Sequence, residues 1–212
     1  MFGTILIAVS TFMHVYVFWR AASVPFIDRH LSRKILIVTG VMAWAIFFFG
    51  RIIGHGGTGA PAGVLEFLGM NWMGALFLIF TSLLFIDLAT FFGILMPRIS
   101  PVLRGSALLV GLLLSGFALI QGLRPPVVEI YEVSLPGLPK DMDGTVLVAL
   151  SDMHLGSQLG ERWLAARIAQ VKAQRPDLVV LLGDIFEGHG PPEEHLIAIF
   201  KQLSPPRGAL RC

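Results

Sequence analysis

Four long apolar stretches occupy most of the first 123 residues, and they constrain the fold more than any other feature of the chain. They cover roughly residues 2–19, 35–53, 72–96 and 107–123. A helix rises about 1.5 Å per residue, so about 20 apolar residues cross a bilayer core of about 30 Å. Composition agrees. Of the 212 residues, 55% are hydrophobic and only 14% charged, with a mean hydropathy of +0.76. That is too apolar for one soluble domain and indicates an integral membrane protein. Residues 1–123 are expected to form a four-helix transmembrane bundle, and residues 124–212 a soluble part. The first stretch lacks a basic leader and a small-residue cleavage site, and more spans follow it. It therefore reads as a retained helix and not as a signal peptide.

The loops suggest an orientation. Arg20, Arg29, Arg33 and Lys34 follow the first span, and Arg98 and Arg104 follow the third. Residues 54–71, after the second, carry no Lys or Arg. Positive loops stay in the cytoplasm, so an even number of spans places both termini and the soluble part outside the plasma or inner membrane. Arg51 and Arg124 oppose this assignment.

Two ionisable residues fall within spans: Asp87 in the third and His14 in the first. Both helices run in the same direction, which would allow a hydrogen bond between them. An intramembrane acid is by default a functional candidate. The plainer alternative is a polar contact that holds the helices together, and it is favoured because a single acid makes a poor proton relay. Residues 54–69 are glycine-rich, contain Pro61, and read as an outer loop with a short interfacial helix near 64–68. Trp72 suits an interfacial anchor. His55, in that loop, reads as solvated and not as a ligand, and His189 and His195 have no partners at ligand spacing. The single cysteine, Cys212, permits no disulfide within the chain. A net charge of +2 without a basic, aromatic-rich patch indicates no nucleic-acid partner.

Pro125 and Pro126 stop the fourth span, and residues 127–135 alternate as a partly exposed strand would. Residues 146–150 form a continuous apolar run, as in a strand buried on both faces, and end at Ser151-Asp152-Met153-His154. Leu164, Ile168 and Val171 recur at helical spacing. Residues 178–182 are a second apolar strand ending at Gly183-Asp184, and 193–203 read as a further helix. A strand–helix–strand unit of this length makes a parallel crossover. Neighbouring strands lie about 4.8 Å apart, so Asp152 and Asp184 should leave the same carboxyl edge, where open α/β sheets keep their ligands. Two carboxylates and an imidazole meeting there call for a cation. Carboxylate oxygens suit hard divalent ions, and imidazole suits manganese, iron or zinc. The alternative, Asp152 as a turn residue and Asp184 as a helix cap, leaves His154 unexplained.

Ser151-Asp152-Met153-His154-Leu155-Gly156, followed by Gly183-Asp184-Ile185-Phe186-Glu187, resembles the first two blocks of the calcineurin-like metallophosphoesterases. The resemblance implies an αββα-sandwich α/β domain that begins after residue 123. It implies that Asp152 and His154 bind a first metal and that Asp184 bridges to a second. Glu187, where the family has Asp, would support the site. The ions would be manganese, iron, zinc or magnesium. The implied reaction is two-metal hydrolysis of a phosphomonoester or phosphodiester. The family's later Gly-Asn-His and Gly-His-x-His blocks do not occur. With about 85 soluble residues, the chain is expected to be a fragment, itself inactive and holding at most one weak metal site. The short tether from the fourth span favours a substrate at the bilayer surface, such as a lipid-linked or cell-envelope phosphate. The alternative function is a four-helix sensor or transport module with a non-catalytic phosphoesterase-like domain, for which Asp87 and His14 are the support.

Overall fold

A computed structural model describes residues 2–54, 60–156, 159–186 and 194–211, and these divide at Pro126 into two compact units. The first unit contains α1 (Phe2–Ala21), α2 (Pro25–His30), α3 (Arg33–Phe49), α4 (Ala60–Ala89) and α5 (Ser100–Gly122). Four of its helical stretches are long and apolar enough to cross a membrane: Gly3–Ala21, Arg33–Ile53, Pro61–Ala89 and Ser100–Gly122. In the most apolar part of each stretch only 11% to 39% of the residues are buried, so most of its residues are not enclosed by the protein. A soluble core could not leave that much apolar surface outside, whereas lipid solvates it.

The third span differs from the sequence expectation of 72–96. α4 starts twelve residues earlier, at Ala60, and ends at Ala89. Pro61 falls in its first turn, where a missing N–H costs nothing, so the expected outer loop with a short helix is, from Ala60 on, one continuous helix. At the other end, Phe91, Phe92 and Gly93 take left-handed backbone with φ of 51°, 57° and 91° and turn the chain back. The Phe92 N–H closes the helix onto the Asp87 carbonyl at 2.5 Å. The six-residue α2 lies where the sequence reading has a connection. Pro25 at its first position is the signal for it.

α4 is the central helix and packs against α1, α3 and α5. Their shared core is Met13, Tyr16 and Val17 from α1, Leu76, Ile79 and Leu83 from α4, and Ala107 from α5. α3 continues into a π-helical turn, Gly50–Gly54. The widening falls beside a close approach to α4. A Cβ on Gly50 would lie 2.6 Å from the Leu65 carbonyl oxygen, and one on Gly69 2.9 Å from that of Ile46.

The second unit is a parallel three-stranded sheet, β1 (Leu147–Leu150), β2 (Leu178–Leu181) and β3 (Ala209–Arg211), in that order. Leu147 pairs with Leu178 and Leu150 with Leu181. Asp177 pins this register: its carboxylate accepts the Val146 N–H at 2.9 Å and its own N–H reaches the Val146 carbonyl at 2.8 Å. α6 (Glu161–Ala173) buries Leu164, Ile168 and Val171, and α7 (Glu194–Phe200) buries Leu196. Leu164, Ile168 and Leu196 share a core with Met153, Leu155 and Ile185.

Two expectations for this unit are corrected. Residues 127–135 form no strand among the described residues, with Val127 and Ile130 more than 80% exposed. Nor are β1 and β2 buried on both faces. Their core-facing residues meet α6 and α7, while Leu147 remains 55% exposed because no described element covers its side of the sheet.

Candidate metal centre

The site is built by backbone lacing beyond the strand ends. After β1 and β2 stop, parallel pairing continues: the Asp152 N–H donates to Gly183 O at 3.3 Å, His154 N–H to Asp184 O at 3.0 Å, and Leu155 N–H to Ile185 O at 2.9 Å. Burial alternates along these extensions, with left-handed residues next to the buried ones. Met153, Leu155 and Ile185 are buried, at 4%, 1% and 4% exposure. Asp152, His154 and Asp184 are left exposed. The apolar residues anchor the loops to the core, and the polar ones are presented to solvent.

These three residues offer one ligand atom each, and the three atoms lie within 4.8 Å of one another. Bonds of about 2.0–2.2 Å put two ligands of one ion at most about 4.4 Å apart, so a small rotation of exposed side chains closes the set. Two carboxylate oxygens and an imidazole nitrogen fit a divalent ion of the manganese, iron or zinc type.

All three residues also have left-handed backbone, with φ of 53° at Asp152, 45° at His154 and 51° at Asp184. Non-glycine residues seldom adopt this region, although Asp and His tolerate it better than most. Each such residue costs on the order of 1–3 kcal/mol, and such strain gathers at functional sites. Ser151 adds an orienting contact by donating its hydroxyl to Asp152 Oδ2. Glu187 and His189 lie outside the described residues, and His195 stands 3.8 Å from Glu161, linking α7 to α6.

The intramembrane candidates separate into two sites. His14 Nδ1 lies 2.7 Å from the Ser10 carbonyl oxygen, and the Trp72 indole N–H donates to His14 Nε2 at 2.7 Å. A carbonyl only accepts, so Nδ1 carries the proton and both ring nitrogens are satisfied. The expected bond between His14 and Asp87 is not formed. Trp72 sits fifteen positions before Asp87, about 22 Å along the helix, and holds His14 away from the acid.

Asp87 is fully buried in a charged cluster that the loop-counting argument missed. Its Oδ1 accepts from Arg104 Nε at 2.8 Å and its Oδ2 from the Tyr16 hydroxyl at 2.5 Å. Arg20 Nε is also 2.6 Å from Oδ2. Its N–H does not line up with an acceptor, so the contact is an ion pair without a hydrogen bond. Arg104 further donates to Ser23 Oγ at 3.4 Å and to the Phe92 carbonyl at 3.1 Å. These partners come from α1, the turns and α5, which supports the reading of Asp87 as a contact that holds the helices together.

No family model matches the chain, and no solved structure matches it. Among curated proteins it is 35% identical over 79 residues to a "Transmembrane protein with metallophosphoesterase domain" of Danio rerio, which is 37% of this chain and 18% of that protein. It is 39% identical over 67 residues to an uncharacterized metallophosphoesterase of Campylobacter jejuni, covering 32% of this chain and 17% of that protein. It is 29% identical over 99 residues to another in Bacillus subtilis, covering 45% and 35%. The chain thus spans less than a quarter of the length of the first two and about a third of the last. By sequence it is a relative of the metallophosphoesterases, transmembrane ones among them.

Proposed function

We propose that this chain is part of a membrane-anchored, metal-dependent phosphoester hydrolase that uses two divalent ions. Asp152 and His154 would hold one ion, and Asp184, on the adjacent strand end, would be shared with the second. The observation that carries this reading is the convergence of these three residues within 4.8 Å, each from left-handed backbone, in a relative of metallophosphoesterases. When bound, divalent ions activate a water and neutralise charge on the phosphoryl oxygens. Ser151 donates to Asp152 Oδ2 and orients that carboxylate. The exposure of all three ligands leaves the site open to a substrate as large as a lipid-linked phosphomonoester or phosphodiester. The site works on the extracytoplasmic side.

The test is manganese, iron and zinc content, and hydrolysis of a nitrophenyl phosphodiester, in the intact protein and its Asp184→Asn variant. Loss of both metal and turnover in the variant is expected. An Asp184→Asn protein that keeps full metal content and rate refutes the assignment.

A further inference from the structure

We propose that the first unit binds the phosphodiester group of one phospholipid through Arg20, at the end of the helices where Asp87 lies. The argument begins with a charge count. Arg20 and Arg104 are 8% and 6% exposed and Asp87 is fully buried, so two cations face one anion. Among the described residues, Asp87 is the carboxylate that pairs with them. The other buried acid, Glu66, is 21 positions earlier in the same helix, about 31 Å away.

The unbalanced charge belongs to Arg20. Both oxygens of Asp87 already accept aligned bonds, from Arg104 and from Tyr16. Arg104 spends further donors on Ser23 and Phe92. Arg20 approaches Oδ2 without an aligned bond, so its fork of donors is not matched by this carboxylate.

The surroundings indicate which anion is at hand. The Arg20 guanidinium lies 4.1 Å from the ring centre of Trp19, which is 61% exposed on the outside of α1. Beyond Asp87, the turn after α4 exposes Phe91, Ile94 and Leu95 at 62%, 73% and 67%. Residues that apolar are solvated by lipid, so the bilayer reaches past the cluster and Arg20 sits at or below headgroup depth. Two guanidiniums against one carboxylate leave a net positive charge there, which is costly. The phosphodiester of a neighbouring lipid is the anion available at that depth, and a guanidinium fork matches it. Arg29, Arg33, Lys34 and Arg98 flank the same end and draw anionic lipid toward it.

The experiment uses the whole chain, delipidated in mild detergent. Phosphatidylglycerol is expected to raise its unfolding temperature saturably, and neither diacylglycerol with the same acyl chains nor inorganic phosphate should do so. Arg20→Gln should raise the phosphatidylglycerol concentration for half effect by about tenfold or more, the loss of one charge-assisted phosphate contact. Arg124→Gln, at an exposed arginine of the opposite end, should leave it unchanged. Equal stabilisation by diacylglycerol, or an unaltered response in Arg20→Gln, overturns the proposal. Stabilisation by inorganic phosphate alone overturns the lipid assignment. If Arg20→Gln does not fold, native mass spectrometry of the unmodified chain decides: one retained phospholipid supports the site, and none refutes it.

Discussion

Asp152, His154 and Asp184 combine three properties: metal-ligand chemistry, exposure and left-handed backbone. The conformation separates two effects of substitution at Asp152. Asparagine tolerates left-handed backbone about as well as aspartate does, so Asp152→Asn should change metal-free stability by less than about 0.5 kcal/mol. It should weaken manganese binding by more than about 100-fold, beyond the effect of losing an outer hydrogen bond. Asp152→Val, β-branched, should instead cost about 1–3 kcal/mol before any metal is added. Thermal unfolding with and without manganese measures both quantities. An Asp152→Asn protein that binds manganese normally removes Asp152 from the site. Asp87 gives a second contrast. Asp87→Ala leaves two buried guanidiniums without their carboxylate and should cost about 3–5 kcal/mol. Tyr16→Phe removes one hydrogen bond from an oxygen that Arg20 still faces, and should cost about 1 kcal/mol. Unfolding in mild detergent ranks them, and equal losses would mean that the charges contribute nothing. At this scale the donors were legible because Asp-x-His and Gly-Asp stand at the ends of apolar runs. The left-handed backbone was not, because it arises from lacing between loops thirty residues apart. The partners of Asp87 were hidden too, since Arg20 and Arg104 lie near span ends and read as loop charges.

Helices and strands were legible where one periodicity dominated. Leu164, Ile168 and Val171 form the buried stripe of α6, and the runs at 146–150 and 178–182 contain β1 and β2. Boundaries failed where apolar residues continue through a turn. Residues 90–96 are as apolar as a span, yet α4 ends at Ala89 because the chain turns back through left-handed residues. The strand expected at 127–135 failed for another reason: alternation shows that a segment is suited to a sheet, but only a partner makes it a strand. Close packing between helices is likewise invisible in a hydropathy profile, and α5 allows a direct test. A Cβ on Gly111 would meet Ile79 Cα at 2.7 Å, whereas one on Gly116, in the same helix, meets nothing within 4 Å. Gly111→Ala should force α4 and α5 apart at a cost of about 1–3 kcal/mol. Gly116→Ala should be neutral or gain up to about 1 kcal/mol from helix propensity. Unfolding temperatures of the two variants should move in opposite directions or differ clearly, and identical shifts would contradict the close approach of these helices.

For the molecule as a whole, the division into units falls beside Pro125 and Pro126, where no helix can continue. The proposed orientation rests on the charges at the two ends of the spans, and the structure changes that balance. Sequence counting placed six cations on the end that includes Arg20. Two of them, Arg20 and Arg104, are buried against Asp87. Arg29, Arg33, Lys34 and Arg98 remain to hold that end in the cytoplasm, against Arg51 and Arg124 at the other. Acidic residues contribute little to this bias, so four against two still favours an extracytoplasmic second unit, by a smaller margin. The margin is concentrated in α2 and the first turn of α3. Alkaline phosphatase fused after Cys212 should be active, and green fluorescent protein at the same position dark. Replacing Arg29, Arg33 and Lys34 together by Gln leaves one cation against two, and should give a mixed population in which both reporters score. A fluorescent fusion of the unaltered chain would put the metal-site residues in the cytoplasm and remove the case for a cell-envelope substrate.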